Sequence, residues 1–444
     1  MDNISVNIPV TNKPRVIVIG GGFGGINAVK NLNTKYFQLV LFDKHNYHTF
    51  QPLLYQVASS GLQPDAIAGP LRKLFNKKED FHFRMLKVLS INPDINVITT
   101  TAGDVSYDYL IIANGSTTNF FGNQQVQKLS LPVKTIPGSL NIRSHLMQLF
   151  EWANLVRDNA VKEKMLDIVI VGGGPTGVET AGAMAELRRY VLPKDYPQLD
   201  FSLMKIYVLE GTDRLLPTMS TKASASAHKN LEKMGVIVKL NTMVQDYDGD
   251  TVTLKNGEQI KAFTVIWSAG VIGDVIPGVK KEWLEKSRLL TDSSCKVIGS
   301  VNIFAIGDIA MMKLEKYPKG HPGLAQAAIQ MGKYIGKNLR DIHNNKTVKP
   351  FNYFDKGSLA TIGRGKAVAD LPGKLYIGGR LAWWIWLFVH ISFLVSFRNK
   401  LLVMANWIWN YFTFDKGNRL IIRPYINKNN AAIPEEELMA GVGT

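Results

Sequence analysis

The chain has 444 residues, a net charge of +16 and a hydrophobic content of 46%. This length is sufficient for two α/β domains and a smaller third region, and the hydrophobic content can fill their cores. Only one cysteine, Cys295, is present. This count excludes disulfide reduction and sulfide oxidation, because both reactions need two protein thiols.

The first predicted element is an apolar strand that begins at Arg15 and leads into a glycine-rich turn. The turn is Gly20-Gly-Gly22-Phe23-Gly24-Gly25, and a predicted helix over residues 26–32 follows it. In such a G-x-G-x-x-G pattern the first glycine permits a tight turn, the second lets the backbone approach a pyrophosphate, and the third lets the helix pack on the strand. A second strand, over residues 37–42, ends at Asp43, where a carboxylate accepts hydrogen bonds from an adenosine ribose.

The same pattern recurs later in the chain. Gly172-Gly-Gly174-Pro175-Thr176-Gly177 lies between an apolar strand and a predicted helix over residues 178–187, and a strand over residues 205–209 ends at Glu210. A carboxylate at that position repels a 2′-phosphate, which favours NADH over NADPH. Arg214 lies four residues further on, and a weaker preference caused by its charge remains the alternative. Two such fingerprints in one chain predict an enzyme that binds two dinucleotides.

Three further apolar segments indicate which nucleotide is a flavin. A strand over residues 109–113 ends in Ala113-Asn114-Gly115, residues 267–271 are Trp-Ser-Ala269-Gly270-Val, and a strand over residues 300–306 ends in Gly307-Asp308. They resemble the two crossing segments and the ribityl-binding Gly-Asp of flavoproteins with two dinucleotide domains. The resemblance implies FAD at the first fingerprint, with Asp308 as the ribityl ligand. Asn114 stands where that family has threonine.

The composition changes in the last quarter of the chain. Residues 381–397 and 401–414 carry no formal charge and are rich in tryptophan and phenylalanine. As a helix, the first run spans about 26 Å, which is short of the roughly 30 Å hydrocarbon core of a bilayer. The second run has a polar stripe of Asn406, Asn410 and Thr413, which is typical of a helix that lies in a membrane interface. The two runs predict a monotopic anchor, and a spanning helix is the alternative.

The positive charge predicts an anionic surface as a partner. The chain has 52 basic and 36 acidic residues, and residues 372–428 contain eight basic residues against one acidic residue, Asp415. Basic residues interleaved with tryptophan favour acidic lipid headgroups. Nucleic acid is the competing partner of a basic chain, but no nucleic-acid-binding motif accompanies the charge. We therefore expect a membrane surface and no nucleic acid.

Four motifs together resemble the type II NADH:quinone oxidoreductases, which are single-subunit enzymes that do not pump protons. The motifs are the flavin-side loop over residues 46–56, the second fingerprint continued to Glu179, the helix start Ala325-Gln326-Ala-Ala-Ile-Gln330, and the aromatic tail with His390 and Phe397-Arg-Asn-Lys400. The resemblance extends from Arg15 to about Arg423. Members of that family commonly have Pro-Thr before Ala-Gln, whereas this chain has Gly323-Leu324.

This resemblance implies FAD-dependent oxidation of NADH and two-electron reduction of a membrane quinone to quinol in a respiratory chain. The implied catalytic residues are Glu179, near the nicotinamide, and Gln326 and Gln330, on the quinone side. The implied FAD contacts are Gly20, Gly22, Phe23, Gly24, Gly25, Asp43, Lys44, Gln51, Ala113, Gly115, Gly307, Asp308, Ala325 and Gln326. The implied NADH contacts are Gly172, Gly174, Pro175, Thr176, Gly177, Glu179, Glu210, Ala269 and Gly270. No metal is expected, and His390 is interpreted as an interfacial or packed residue rather than as a proton donor.

The predicted fold is α/β, with two Rossmann-like dinucleotide-binding domains and a C-terminal region of amphipathic, membrane-anchoring helices. We assign residues 1–118 and 268–345 to an FAD domain, residues 119–267 to an NADH domain, and residues 346–444 to C-terminal strands and anchoring helices. A monomer and a homodimer both remain open.

Location and function each keep alternatives. The first 14 residues contain no apolar or arginine-rich targeting stretch, and with the basic apolar tail this predicts a peripheral position on the cytoplasmic side of the cell membrane. Two other functions remain open: an NADH-dependent reductase of a soluble carrier such as ferredoxin, and a non-catalytic membrane flavoprotein that senses NADH. The first has no use for the aromatic tail, and the second needs no quinone pocket at Gln326.

Overall fold

Apolar strands that alternate with helices produce two parallel sheets, as both fingerprints predict. The computed structural model describes residues 5–426. The end of the predicted C-terminal region, residues 427–444, lies outside the described residues.

The strands are numbered here in chain order. The first ten are β1 (Arg15–Ile19), β2 (Gln38–Asp43), β3 (Tyr47–Thr49), β4 (Ala68–Pro70), β5 (Phe81–Met85), β6 (Val88–Asn92), β7 (Val97–Thr100), β8 (Gly103–Ser106), β9 (Tyr109–Ile112) and β10 (Ser116–Thr118). The next nine are β11 (Leu131–Pro132), β12 (Ile168–Val171), β13 (Ile206–Leu209), β14 (Val236–Lys239), β15 (Val244–Tyr247), β16 (Thr251–Leu254), β17 (Gln259–Lys261), β18 (Thr264–Trp267) and β19 (Val271–Gly273). The last seven are β20 (Leu284–Glu285), β21 (Arg288–Thr291), β22 (Ile303–Ala305), β23 (Ala310–Met312), β24 (Ser358–Gly363), β25 (Lys366–Leu371) and β26 (Leu375–Gly378).

The helices are numbered in the same way. They are α1 (Phe23–Asn31), α2 (Leu54–Ala58), α3 (Pro64–Ile67), α4 (Leu71–Leu74), α5 (Gln124–Leu129), α6 (Ile136–Leu155), α7 (Asn159–Leu166), α8 (Pro175–Glu186), α9 (Leu192–Asp195), α10 (Thr221–Lys233), α11 (Ala325–His343), α12 (Gly379–Phe393) and α13 (Phe397–Thr413).

The chain divides into two compact units. The first contains the described residues through Thr49, Ala68–Thr117 and Val271–Lys356. Its main sheet has the order β22-β9-β1-β2-β5, with all neighbours parallel. Helix α11 packs closely on α1 at Gly332. A Cβ atom there would lie 2.3 Å from the carbonyl oxygen of Gly24, so the close approach needs a residue without a side chain. This unit carries the first fingerprint, in the turn between β1 and α1.

The second unit contains Phe50–Ile67, Thr118–Gly270 and the described residues from Gly357 onward. Its main sheet has the order β11-β18-β12-β13-β14 and is also parallel. The second fingerprint lies between β12 and α8. The antiparallel hairpin of β15 and β16 encloses the acidic turn around Asp248, and the buried residues Tyr247 and Trp267 belong to the same hydrophobic cluster.

The C-terminal strands and helices belong to the second unit and pack on its fingerprint helix. The antiparallel sheet of β24, β25 and β26 contacts α8 at Gly182, where a Cβ atom would lie 1.9 Å from the carbonyl oxygen of Ile362. The predicted division treats residues 346–444 as a separate region. The assignment of the other two regions to FAD and to NADH remains a prediction.

The predicted helical runs of the tail are present with one different boundary. The first uncharged run continues through Phe397, but α12 ends at Phe393 and α13 begins at Phe397. Ser396 causes the early start of α13, because its side chain accepts a hydrogen bond from the Asn399 N–H at 3.2 Å. A serine in that role ends one helix and begins the next without any change in hydropathy.

Candidate functional site

The first fingerprint has the geometry of a dinucleotide turn. Gly20 has a φ of +102°, and a Cβ atom there would lie 2.5 Å from the carbonyl oxygen of Ala113. A Cβ atom on Gly25 would lie 1.8 Å from the carbonyl oxygen of Gly20, whereas one on Gly22 would meet nothing within 4 Å. The first and third glycines therefore permit the tight turn, and the second leaves open space at the start of α1, where a pyrophosphate binds.

Asp43 supports this turn from the end of β2. Its Oδ2 accepts a hydrogen bond from the Gly21 N–H at 2.6 Å, and its Oδ1 accepts one from the His45 N–H at 2.7 Å. The remaining lone pairs of the carboxylate are those that a ribose can use. Lys44 follows on the exposed surface. Both residues lie in the first unit, with the glycines predicted to share their ligand.

His48 is a residue of this turn that the sequence did not single out. Its Nδ1 donates to the carbonyl oxygen of Gly21 at 2.9 Å, and the ring of Phe23, the first residue of α1, lies edge-on to it at 5.0 Å. Burial lowers the pKa of His48 to about 4, so the ring is neutral at physiological pH. The only sequence signal was its position within the flavin-side loop.

The predicted ribityl site contains a hydroxyl group that compensates for Asn114. Ser116 Oγ donates to Asp308 Oδ2 at 2.6 Å, so a serine two residues further on supplies the hydroxyl that asparagine lacks. The two glycines of this site, Gly115 and Gly307, have φ angles of +77° and +74°. The four predicted residues Ala113, Gly115, Gly307 and Asp308 therefore belong to one unit.

Gln326 and Gln330 lie in the first turns of α11 and bind the same backbone segment. Gln326 Oε1 accepts a hydrogen bond from the Lys356 N–H at 3.0 Å. The Gln330 amide pairs with Phe354 twice, because its Nε2 donates to the carbonyl oxygen and its Oε1 accepts from the N–H, each at 2.9 Å. Ala325 begins the helix. The shared helical face of the two glutamines, which the sequence indicates, is present.

The second fingerprint repeats the geometry of the first. Gly172 has a φ of +104°, and a Cβ atom on Gly177 would lie 1.8 Å from the carbonyl oxygen of Gly172. A Cβ atom on Gly174 would meet nothing within 4 Å. Pro175 and Thr176 form the first turn of α8, where proline is favoured because its missing N–H is not needed. This turn therefore fits a second pyrophosphate.

Glu210 has the same role in the second unit as Asp43 in the first. It follows β13, and its Oε2 accepts a hydrogen bond from the Gly173 N–H at 2.6 Å. Its Oε1 accepts from both the N–H and the hydroxyl of Thr212 at 2.8 Å. Arg214 is held by the carbonyl oxygen of Pro217 at 2.9 Å. Each fingerprint thus has a carboxylate bonded to its middle glycine, and both ribose contacts remain predictions.

Ala269 lies directly against the second fingerprint, and Gly270 follows it. A Cβ atom on Gly172 would lie 2.8 Å from the Cα of Ala269. Ser268 Oγ donates to the carbonyl oxygen of Val171 at 2.8 Å, and Gly270 has a φ of +72°. The second glycine turn, Glu210 and Ala269 thus follow the carboxyl ends of β12, β13 and β18. The predicted FAD contact Gln51 lies exposed in the second unit.

Glu179 is buried in α8 and is bound by the C-terminal region. Its Oε1 accepts hydrogen bonds from the Thr361 N–H and from Trp386 Nε1, both at 3.3 Å. Burial raises the pKa of Glu179 to about 8, and these two hydrogen bonds oppose that shift. The carboxyl group is consequently protonated in most molecules at neutral pH. Tyr55, also buried, has a raised pKa because of burial and of the Glu179 charge.

His390 is a packed residue, as the sequence interpretation holds. Its ring stacks on Trp386 at 4.1 Å and lies edge-on to Phe50 at 5.9 Å. Its Nδ1 donates to the carbonyl oxygen of Trp386 at 2.8 Å, and burial lowers its pKa to about 4. Trp386 thus links His390 to Glu179, a connection that no sequence pattern indicates.

Of the polar stripe of α13, Asn410 bonds to the protein surface beneath the helix, whereas Asn406 and Thr413 bond to carbonyl oxygens of α13 itself. Asn410 Nδ2 donates to the carbonyl oxygen of Gly61 at 3.3 Å, and Trp407 Nε1 donates to Gln56 Oε1 at 2.7 Å. The exposed large apolar residues of α12 and α13 are Leu381, Trp384, Phe388, Phe397, Leu401, Met404, Ile408, Trp409 and Phe412. Within residues 5–426, no helix has both the length and the hydropathy needed to cross a membrane.

Comparison with known proteins identifies the family. A model described as pyridine nucleotide-disulphide oxidoreductase matches residues 14–332, and one described as the NDH2 C-terminal domain matches residues 356–414. The type II NADH:quinone oxidoreductase NdhA of Mycobacterium tuberculosis is 34% identical over 430 residues, which cover 93% of this chain and 90% of that protein. The chain belongs to the type II NADH:quinone oxidoreductase family. The family resemblance predicted from the sequence is therefore confirmed.

Further comparisons agree with this family. The Ndh protein of the same organism, also a type II NADH:quinone oxidoreductase, is 33% identical over 426 residues, covering 92% of this chain and 90% of that protein. The structure of NDH2 from Plasmodium falciparum in complex with NADH superposes with a TM-score of 0.86 at 25% identity, covering 93% of this chain and all of that one. The single cysteine of this family member, Cys295, is buried, and burial raises its pKa. A buried thiol without a partner fits an enzyme that passes electrons without protein sulfur.

Proposed function

We propose that the chain oxidises NADH and reduces a membrane quinone to quinol, with FAD as the electron carrier. The observation that carries this proposal is the pair of equivalent turns. In each turn there is open space beside Gly22 or Gly174, and a carboxylate accepts a hydrogen bond from the preceding residue, Gly21 or Gly173. When bound, FAD accepts two electrons from NADH and passes them to the quinone. The names of the relatives, which describe NADH:quinone oxidoreductases, support the same function.

The nucleotide assignments follow the chemistry of each turn. In this proposal residues 1–118 and 268–345 bind FAD, with Asp43 on its adenosine ribose and Asp308 on its ribityl chain. Residues 119–267 bind NADH, with Glu210 on the ribose. The partner bonds of Asp43, Asp308 and Glu210 support these roles, because each fixes a carboxylate and leaves lone pairs for a ligand hydroxyl.

Glu179 is proposed to hold a proton near the nicotinamide. Its neutral carboxyl group can donate a hydrogen bond through the oxygen that Thr361 and Trp386 do not use. Such a donor can orient the carboxamide of the nicotinamide, and a proton held with a pKa of about 8 can also be released near neutral pH.

Gln326 and Gln330 are proposed to contact the quinone. Their amides fix the segment Phe354–Lys356 against the first two turns of α11. Gln326 Nε2 donates to Asp355 Oδ1 at 3.4 Å. Gln330 Nε2 carries two donors, and the carbonyl oxygen of Phe354 accepts from one of them, so a rigid amide-bearing surface of this kind can direct an N–H donor of Gln330 at a quinone oxygen. Quinone reduction also needs two protons, so a hydrogen-bonding wall is suited to the acceptor side.

The membrane position is proposed from the exposed apolar surface. Nine large apolar residues of α12 and α13 are exposed, whereas Asn410 and Trp407 of α13 bond to residues 56–61. Exposed apolar surface rimmed by basic residues indicates binding to an anionic bilayer surface. We propose a peripheral, monotopic enzyme on the cytoplasmic side of the cell membrane. A homodimer remains a prediction.

One anaerobic experiment separates this function from its alternatives. NADH is mixed with the FAD-loaded protein, and the flavin absorbance is followed before and after addition of a short-chain quinone or of ferredoxin. Rapid reduction by NADH and rapid reoxidation by the quinone are expected. Reoxidation by ferredoxin alone would indicate a reductase of soluble carriers, and reduction without reoxidation by either would indicate a sensor.

A further inference from the structure

Phe121 occupies a strained and exposed position beside the second fingerprint. It has a φ of +52° and is 70% exposed. A non-glycine residue with a positive φ is uncommon, and a bulky aromatic residue there is an outlier. Such strain is found mainly at functional sites, where the surrounding structure enforces it. The ring gains little from packing within the protein, so its own burial does not explain the strain.

The surrounding turn fixes Phe121 firmly. Its N–H donates to Asn119 Oδ1 at 2.8 Å. The Asn119 backbone is bound on both sides, because its N–H donates to the carbonyl oxygen of Gly270 at 3.3 Å and its carbonyl oxygen accepts from Trp267 Nε1 at 2.9 Å. The neighbouring ring of Phe120 packs on Trp267 at 5.7 Å. The turn is therefore a rigid extension of residues 267–270.

This attachment places the Phe121 ring at the second fingerprint. The ring lies close to Gly270, because a Cβ atom there would be 3.0 Å from Phe121 Cζ. Ala269, the preceding residue, lies against Gly172, the first glycine of the fingerprint. The ring is therefore connected to the first glycine of the fingerprint through two neighbouring residues, Gly270 and Ala269.

The order of strands indicates which end of the dinucleotide reaches this ring. In the second unit β12 lies between β18 and β13. Glu210 follows β13 and marks the adenosine side, whereas Phe121 lies at the end of β18 on the opposite side. A dinucleotide crosses the carboxyl ends of such a sheet, with its pyrophosphate at the helix start between them. The end of β18 therefore faces the nicotinamide half.

We propose that Phe121 contacts the nicotinamide ring of NADH and positions it. This inference rests on the proposed function, since it assigns NADH to the second unit. Flat aromatic rings attract one another in offset or edge-on arrangements, and a ring held rigidly in advance loses little freedom when the ligand binds. The strained turn then has a physical role, because it holds the ring in its binding position before the ligand arrives.

The test compares a ligand that has the nicotinamide with one that lacks it. Isothermal titration calorimetry of the FAD-loaded full chain measures the binding of NAD⁺, which avoids turnover, and of ADP-ribose. We expect Phe121→Leu to weaken NAD⁺ binding by about three- to tenfold, as loss of an aromatic contact predicts, and to leave ADP-ribose within about twofold. Phe121→Tyr should restore NAD⁺ binding. Leu155→Ala, which removes another 70% exposed apolar side chain of the same unit, should change neither ligand.

Other outcomes overturn the proposal in distinguishable ways. Equal weakening of NAD⁺ and ADP-ribose by Phe121→Leu would show that the ring only shapes the turn, and unchanged binding of NAD⁺ would show that it touches no ligand. Phe121→Gly gives a second measurement. It relieves the positive φ, so the unfolding temperature should be maintained or raised while NAD⁺ binding falls. If the wild-type protein binds ADP-ribose but not NAD⁺, or neither, the proposed function fails instead of the role of Phe121.

Discussion

At the scale of single residues, the two nucleotide turns depend on the same device. Asp43 and Glu210 each accept a hydrogen bond from the middle glycine of a fingerprint at 2.6 Å. Each carboxylate therefore holds the turn and presents its remaining lone pairs to a ligand. Glu179 differs, because its burial makes the neutral form the more stable one near pH 7. The buried carboxyl group of Glu179 therefore differs in ionisation from the two carboxylates at the turns, because its surroundings differ.

Substitution of Glu210 tests the nicotinamide preference. Glu210→Ala should weaken NADH binding about tenfold or more, since a hydrogen bond to a charged group contributes about 1.5–3 kcal/mol. It should also narrow the preference for NADH over NADPH, because the 2′-phosphate is no longer repelled. Glu210→Gln keeps an acceptor for the Gly173 N–H and removes the charge, so it should change the preference more than the affinity.

Binding constants for both nucleotides in the three proteins provide this measurement. An unchanged preference in both variants would show that the carboxylate supports only the turn. Asp43→Ala is the matched control, because it should reduce FAD retention and leave the preference for NADH intact.

The raised pKa of Glu179 predicts a pH dependence of stability. The unfolded carboxyl group has a pKa near 4.5 and the folded one has a pKa of about 8. The folded state therefore holds the proton more tightly, and the stability that this contributes is complete below about pH 4.5 and is lost as the pH rises toward 8. Glu179→Gln has no such dependence, and its amide oxygen can still accept from Thr361 and Trp386.

Unfolding temperatures of the wild type and Glu179→Gln between about pH 5 and pH 8 measure this effect. The variant should gain stability relative to the wild type as the pH rises. The comparison also removes the contribution of Asp167, whose pKa burial raises to about 6, because both proteins contain it. A constant difference across the range would mean that Glu179 is ionised in the folded protein.

At the scale of elements, local patterns predicted the turns but not the long-range contacts. Both fingerprints, their strands and the uncharged tail runs are visible in the sequence, because each is a periodic or glycine-marked segment. The hydrogen bond from Trp386 to Glu179 joins residues 207 positions apart, and no local pattern contains that information. The contact of α13 with residues 56–61 was also hidden, because Asn410 and Trp407 find their polar partners in a segment about 350 positions earlier in the chain.

This packing also changes what a truncation should do. If the nucleotide domains were independent of residues 346–444, as the predicted division treats them, truncation after Gly373 would yield a soluble flavoprotein. In the structure Trp386 covers Glu179, and Lys416 Nζ donates to the carbonyl oxygen of Ala183 in α8 at 3.0 Å. We therefore expect the truncated chain to lose stability in its second unit. Point substitutions on the exposed face are the better test of membrane binding.

Helix α11 provides a test at the level of an element. Gln326→Leu should slow the reoxidation of flavin by quinone and leave its reduction by NADH nearly unchanged, because the glutamine is assigned to the acceptor side. Stopped-flow absorbance of the flavin separates the two steps. Tyr334→Phe is the control, since Tyr334 also ties α11 to the following segment through a 2.7 Å bond to the carbonyl oxygen of Lys349. Equal slowing of both steps by Gln326→Leu would show that the substitution disturbs the flavin itself.

At the scale of the whole molecule, charge and exposed apolar surface act on the same partner. The net charge of +16 should attract an anionic bilayer over a distance of about 8 Å in physiological salt. The exposed aromatic face of α12 and α13 acts only on contact, but its energy is not screened by salt. Attachment should therefore be initiated by charge and maintained by apolar burial, and the two contributions can be separated experimentally.

Extraction experiments on the full-length enzyme separate them. High salt alone should leave the protein on anionic vesicles, whereas detergent should release it, because burying apolar surface contributes about 25 cal/mol per Å². Phe388 and Phe412 are 74% and 75% exposed, and burial of each side chain is worth about 1.5–3 kcal/mol. Replacing both with serine should move the enzyme to the soluble fraction with its flavin retained. It should still oxidise NADH with a water-soluble acceptor but fail with a long-chain quinone in vesicles.

Ile95→Ser, which alters an exposed apolar residue of the first unit, should leave attachment unchanged. Protease sealed on the far side of the vesicles tests the monotopic position, and cleavage beyond Lys400 from that side would prove a crossing.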